Sequence, residues 1–199
     1  MIPQKFIFIT IVFSAFGLYF YIRDILRGTT KPNFVTWFFW MLAPFIGVYF
    51  QYKAGAGFSM LPVFLAGFVP LVVLVVASFK KNAYWHLGAF DIWCGALSLL
   101  AIIFWVVTKN PALALVFAIL ADAVASIPTL TKSWTHPETE TALGYVPGIL
   151  NNIVGLLVIQ NWNFSTASFG IYFIILNITL VLFIYRRRIS QTKSNTMIP

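Results

Sequence analysis

The chain reads as an all-α membrane protein with seven transmembrane helices, and three observations predict it. Apolar residues make up 60% of the sequence and charged residues only 9%; soluble domains run at roughly 45–50% and about 25%. Seven apolar runs, at 5–22, 34–52, 58–79, 89–107, 112–130, 141–159 and 166–185, are each near the ~20 residues a helix needs to cross a hydrocarbon core. None of them alternates apolar with polar residues, as the strands of a membrane barrel must. The expected solvent is therefore the lipid bilayer.

Each run has its own signals. Lys5 precedes the first, but no Ala-x-Ala cleavage site follows, and Arg23, Arg27 and Lys31 come after it. That predicts a retained first helix rather than a signal peptide. In the second run Trp37, Trp40 and Pro44 recur on one side. The third holds Pro62 and Pro70, expected to bend it. The fourth begins at Asp91, a carboxylate favoured at a helix amino end by the dipole, and contains the single cysteine, Cys94. The fifth carries Asp122 and Ser126. The sixth carries Gly144, Pro147, Gly148, Asn151, Asn152 and Gly155, and the seventh carries Asn177. Arg186-Arg187-Arg188 closes the last run as stop-transfer charge. Connections are short, and Tyr52, Tyr84, Trp85, Trp134 and Trp162 stand near run ends, where amphipathic rings prefer the interface.

The net charge of +8 lies at run ends rather than in a patch, which argues for topology signals and against nucleic-acid binding. With seven helices, one side holds Lys5, Lys53 and Lys109. The other holds Arg23, Arg27, Lys31, Lys80, Lys81, Lys132, Arg186, Arg187, Arg188 and Lys193. The positive-inside rule then puts the amino terminus outside and the carboxyl terminus in the cytoplasm, as expected of a plasma-membrane protein. One cysteine and two distant histidines, His86 and His136, suggest neither a metal site nor a cofactor, and oligomeric state stays open.

A shift of 105 residues lays the first three runs over the last three without a gap, matching Pro32 to Pro137, Thr30 to Thr135, Thr36 to Thr141 and Arg27 to Lys132. The run at 89–107 is left over. The chain thus divides into a triple-helix bundle at 1–79, a linker helix at 80–108, a second bundle at 109–188 and a cytoplasmic tail at 189–199. Four helices separate equivalent positions, so the bundles are parallel, and parallel repeats place a solute path between them.

This 3+1+3 layout resembles the PQ-loop superfamily, which includes the SWEET sugar transporters. Ser126-Ile-Pro128-Thr129-Leu-Thr-Lys132 is similar to the family's Pro-Gln segment, with Thr129 in place of glutamine. The first half has Arg23-Asp24 there and no proline. The resemblance implies transport of a small solute by alternating access, with Pro44 and Pro147 as hinges in the second helix of each bundle. It also implies a substrate contact at Asn177, whose shifted counterpart is Val72.

The residues themselves suggest a site. Charge within the bilayer is costly, which singles out Asp122, with Ser126 one turn on. The pair reads as a proton-coupling or substrate-binding group, or alternatively as packing between helices. Asn151 and Asn152 either line a site or hydrogen-bond between helices. Trp40, with Trp37, reads as a binding wall or as packing. No His–carboxylate or Ser–His set lies in a run, so an enzyme is not expected. The rival to transport is a membrane protein that keeps the bundle only as an assembly partner or sensor.

Overall fold

The computed structural model describes residues 3–53, 55–80, 85–107 and 111–195. Lys81, Tyr84 and Lys109, among the residues singled out above, lie outside them. The described chain is all-helical: α1 (Ile9–Arg27), α2 (Phe34–Lys53), α3 (Leu61–Phe79), α4 (Ala89–Val107), α5 (Pro111–Thr135), α6 (Val146–Leu157) and α7 (Phe164–Asn195). Five helical stretches are long and apolar enough to cross a membrane: Gln4–Arg27, Phe34–Lys53, Gly57–Phe79, Ala112–Thr135 and Phe164–Arg186. Two further apolar stretches, Ala89–Phe104 and Ala142–Leu157, are shorter.

Helix boundaries differ from the sequence expectation, most at α6 and α7. α6 has only 12 residues, about 18 Å of helix. A 3-10 turn at Ala142–Gly144 precedes it, and Pro147 stands in its first turn. There the missing N–H leaves no hydrogen bond unmade, so Pro147 starts the helix rather than interrupting it. Pro62 likewise sits at the start of α3, whereas Pro44, Pro70 and Pro128 lie inside their helices. α7 runs on through Arg186, Arg187 and Arg188 to Asn195, so most of the expected tail continues the helix.

Polar and apolar residues are distributed as lipid solvation requires. Phe79, Trp93 and Val107 face outward, while Thr10, Ser14, Asp122, Asn151 and Asn152 are buried. Small residues bring backbones close. A Cβ on Gly17 would lie 2.8 Å from the Pro147 ring, and one on Gly155 would lie 2.9 Å from the Pro62 ring. These contacts seat α6 against α1 and α3, as small residues do between membrane helices.

The packing follows a pattern. α3 lies against both α1 and α2, and α7 lies against both α5 and α6. Across these groups α1 packs on α6 and α2 packs on α5, while α4 packs on α5 and α2. The connections at 28–33 and 136–145 and the residues 85–88 gather at one end. There the Trp85 N–H donates to the Pro32 carbonyl, the Lys31 N–H donates to Thr139, and the Arg186 guanidinium donates to the Trp134 carbonyl. At this end Gly28, with φ of 78°, closes α1 in the left-handed conformation that favours glycine. Asp91 takes the structural role expected of it. Its carboxylate accepts from the Gly88 N–H at 2.6 Å, just before α4, and from the Asn33 amide at 2.6 Å.

Candidate functional site

A cavity of about 90 Å³ lies between α1, α2 and α3 on one side and α6 and α7 on the other. The helices that form it explain its lining. The buried stripe of α2 repeats at helical spacing through Trp37, Trp40, Pro44 and Gly47, and its first two members reach the cavity. α3 contributes Pro62, Leu65, Ala66, Val69 and Pro70. Gly144, in the turn before α6, and Gly148, on α6, leave room beside Asn151 and Asn152. Asn177 arrives from α7 with Phe173 and Leu176.

Polar chemistry here is only partly satisfied. The Asn151 amide donates to Ser14 Oγ at 2.7 Å, tying α6 to α1. The Asn152 amide donates to the Gly148 carbonyl at 2.8 Å, and the Asn177 amide to the Phe173 carbonyl at 2.7 Å. Asn151 Oδ1, Asn152 Oδ1, Trp37 Nε1 and Trp40 Nε1 are buried and have no hydrogen-bond partner among the described residues. Two acceptors and two donors therefore stand unsatisfied on the residues around one void. A buried polar group left unpaired costs about 1–3 kcal/mol. Such a cluster of them is a reason to look for a ligand. No Asp, Glu, Lys or Arg is among the described residues lining the cavity.

The cavity has two different ends. Toward the α2 carboxyl terminus, Pro62 and Asn152 also line a second, smaller void with Gln51, Ser59 and Thr166. Toward the α2 amino terminus, aromatic rings close it. Tyr21 and Trp37 lie 4.7 Å apart between centroids, Trp37 and Trp40 5.4 Å, and Trp40 and Tyr145 6.2 Å. Behind these rings is a buried ion pair, Lys132 Nζ to Glu140 Oε1 at 2.5 Å. Glu140 Oε2 accepts from the Tyr21 hydroxyl at 2.9 Å and from the Tyr145 hydroxyl at 2.8 Å. The Lys132 ammonium also donates to the Lys31 carbonyl and stands 5.6 Å from the Trp85 ring centre.

Of the residues the sequence singled out, the fold brings Trp40, Pro147, Asn151, Asn152 and Asn177 together around the cavity. Asp122 and Ser126 lie outside its lining. Asp122 is fully buried on α5, where Oδ2 accepts from the Tyr172 hydroxyl of α7 at 2.6 Å and Oδ1 has no hydrogen-bond partner among the described residues. Ser126 Oγ turns back to the Ala123 carbonyl. Pro44 is buried in α2, also outside the lining. Sequence reasoning missed Ser14, whose only signal was one hydroxyl in an apolar run. It also passed over Tyr21, Glu140 and Tyr145 and took Lys132 as a topology signal. Their signal was scarcity: the chain has only five acidic residues, and Glu140 is one.

Gly148 offers a direct probe of the site. A Cβ there would lie 2.7 Å from Asn177 Oδ1. The Asn177 amide is the end of a side chain and can swing away, so Gly148→Ala is expected to lower thermal stability little while displacing Asn177. The check is the unfolding midpoint in detergent beside binding of any solute that stabilises the native protein; the alanine should abolish the second and spare the first.

Compared with protein-family models, with curated proteins and with solved structures, the chain matches none of them.

Proposed function

We propose that the chain carries a small, uncharged polar solute across the membrane by alternating access between two SWEET-like triple-helix bundles of the PQ-loop type, α1–α3 and α5–α7, with α4 as the linker. The observation that carries this reading is the cavity: two unsatisfied acceptors and two unsatisfied donors on Asn151, Asn152, Trp37 and Trp40, around a space walled by aromatic rings. A neutral molecule with hydroxyl or amide groups on one edge and a flat or apolar face matches that chemistry. A carboxylate, phosphate or ammonium would meet no counter-charge among the described lining residues.

The helix packing supports two related bundles. Exchanging α1, α2 and α3 for α5, α6 and α7 turns the α1–α6 contact into the α5–α2 contact, and the contacts of α3 with its neighbours into those of α7. Such a two-fold relation is what parallel repeats about an axis along the membrane normal produce. Gathering of Arg23, Arg27, Lys31, Lys132 and Arg186 toward the end where the connections meet supports a cytoplasmic location for that end, and hence for the carboxyl terminus. Asp122 touches the site only through α7: its partner Tyr172 adjoins Phe173 of the cavity wall. It serves as a coupling group, not a solute contact.

The test is purified protein in liposomes with a panel of sugars, nucleosides, amino acids and vitamins. At least one neutral member should raise the thermal midpoint and cross the bilayer, and Asn152→Ala should remove both effects. Asp122→Asn keeps the shape and an acceptor for Tyr172, so it should retain binding and lose flux. A panel that yields neither stabilisation nor flux overturns the transport reading in favour of an assembly partner or sensor.

A further inference from the structure

We infer that the cluster of Lys132, Glu140, Tyr21 and Tyr145 is the gate that closes the cavity at the connection end, and that its bonds from Tyr21 to Glu140 and from Lys132 to Lys31 must part for a solute to leave there. This rests on the transport reading. Lys132, Glu140 and Tyr145 are held together within the second half, and two bonds tie them to the first. The Tyr21 hydroxyl from α1 donates to Glu140, and the Lys132 ammonium from α5 donates to the carbonyl of Lys31. Around them the Lys31 N–H donates to the Thr139 carbonyl at 3.1 Å, the Thr30 and Thr141 hydroxyls meet at 2.5 Å, and the Thr141 hydroxyl reaches Asp24 at 2.8 Å. Every one of these contacts between the halves would break if they rocked apart at this end.

Position makes the cluster a gate rather than a distant brace. Tyr145 lines the cavity with its ring and donates to Glu140 with its hydroxyl. Lys132 and Glu140 side chains are 1% and 0% exposed, so the pair is sealed from water while closed. At the opposite end a second, smaller void lies beyond Asn152, beside Gln51 and Ser59. Chemistry fits a device with two states. A buried ion pair adds little to net stability compared with an apolar pair of the same size, yet is intolerant of losing one partner. It favours one closed geometry, and it regains its solvation when the halves separate and water enters.

The gate can be tested without knowing the solute. The background is Cys94→Ser with Val69→Cys, which puts a thiol on the cavity wall, and the probe is a membrane-impermeant maleimide applied to either face of sealed vesicles. Thr30→Cys with Thr141→Cys adds a latch that leaves Lys132 and Glu140 untouched. Hydroxyls 2.5 Å apart stand close to the ~2.05 Å of a disulfide. With the latch reduced, Val69→Cys should label from the Glu140 face. With the latch oxidised, that labelling should vanish while labelling from the other face persists, and reductant should restore it. Glu140→Gln, without the latch, should speed labelling from the Glu140 face. Labelling from that face that survives the oxidised latch, or that never occurs in the reduced protein, overturns the gate. A protein that passes this test but carries no solute defeats the transport reading alone.

Discussion

Replacing Glu140 with alanine should cost about 3–5 kcal/mol of stability, the largest loss expected from any single substitution in this chain. The carboxylate is fully buried; the Lys132 ammonium pairs with it, and the Tyr21 and Tyr145 hydroxyls donate to it. Removing it strands an ammonium and two hydroxyls where water does not reach. A substitution that removes both charges behaves differently. Lys132→Met with Glu140→Leu keeps comparable volume and leaves no unpaired charge, so it should recover most of the loss. Unfolding midpoints in detergent for the single and double variants measure this. A double variant as unstable as Glu140→Ala would mean that the cost lies in the tyrosine hydroxyls and the loop backbone rather than in the stranded ion. Alanine at Glu138, an acidic residue two positions away and outside this cluster of bonds, is the control and should change little.

Gly47→Ala is the second large effect. A Cβ at that position would lie 2.5 Å from Phe169 Cε2 and 2.9 Å from Cδ2. Phe169 is fully buried, and its ring packs against Tyr172 and Phe173. Unlike the Asn177 amide beside Gly148, it has nowhere to turn. One added methyl must therefore push α2 and α7 apart, at a cost of about 1–3 kcal/mol. Gly47→Ala with Phe169→Leu frees the contact and should be more stable than Gly47→Ala alone. If the single alanine unfolds at the wild-type midpoint, α2 and α7 do not approach as closely as described.

These two sites differ in what the sequence could say about them. Gly47 extends by one turn the buried side of α2 that carries Trp37, Trp40 and Pro44, and the sequence reading stopped at Pro44. That Phe169 is what it meets has no signal in that spacing. Glu140 had no such pattern. It lies in a connection, where a carboxylate is ordinarily solvated, and Lys132 looked like one more basic residue marking a membrane face. Only the return of the 136–145 segment across the end of α1 buries the two together beneath Tyr21.

The candidate site divides the same way. Asn151, Asn152, Asn177 and Trp40 stood out because amides and indoles in apolar runs need partners or a ligand, and the fold gathers them at one cavity. Asp122 and Ser126 stood out for the same reason but face α7 beside that cavity. Which face of a helix points where is set by its neighbours, and an apolar-all-round helix does not record it in its own periodicity.

The sequence by itself determined that the chain is helical and apolar enough for lipid. Composition and run length are local properties, and they suffice because lipid leaves the backbone few ways to satisfy its hydrogen bonds. Tertiary structure alone decided where α6 begins, which amides share a void, and that the Lys132–Glu140 pair with its two tyrosines stands between that void and one end of the molecule. Those depend on contacts between residues more than a hundred positions apart, such as Tyr21 with Glu140 and Ser14 with Asn151, and no local pattern encodes such a pairing.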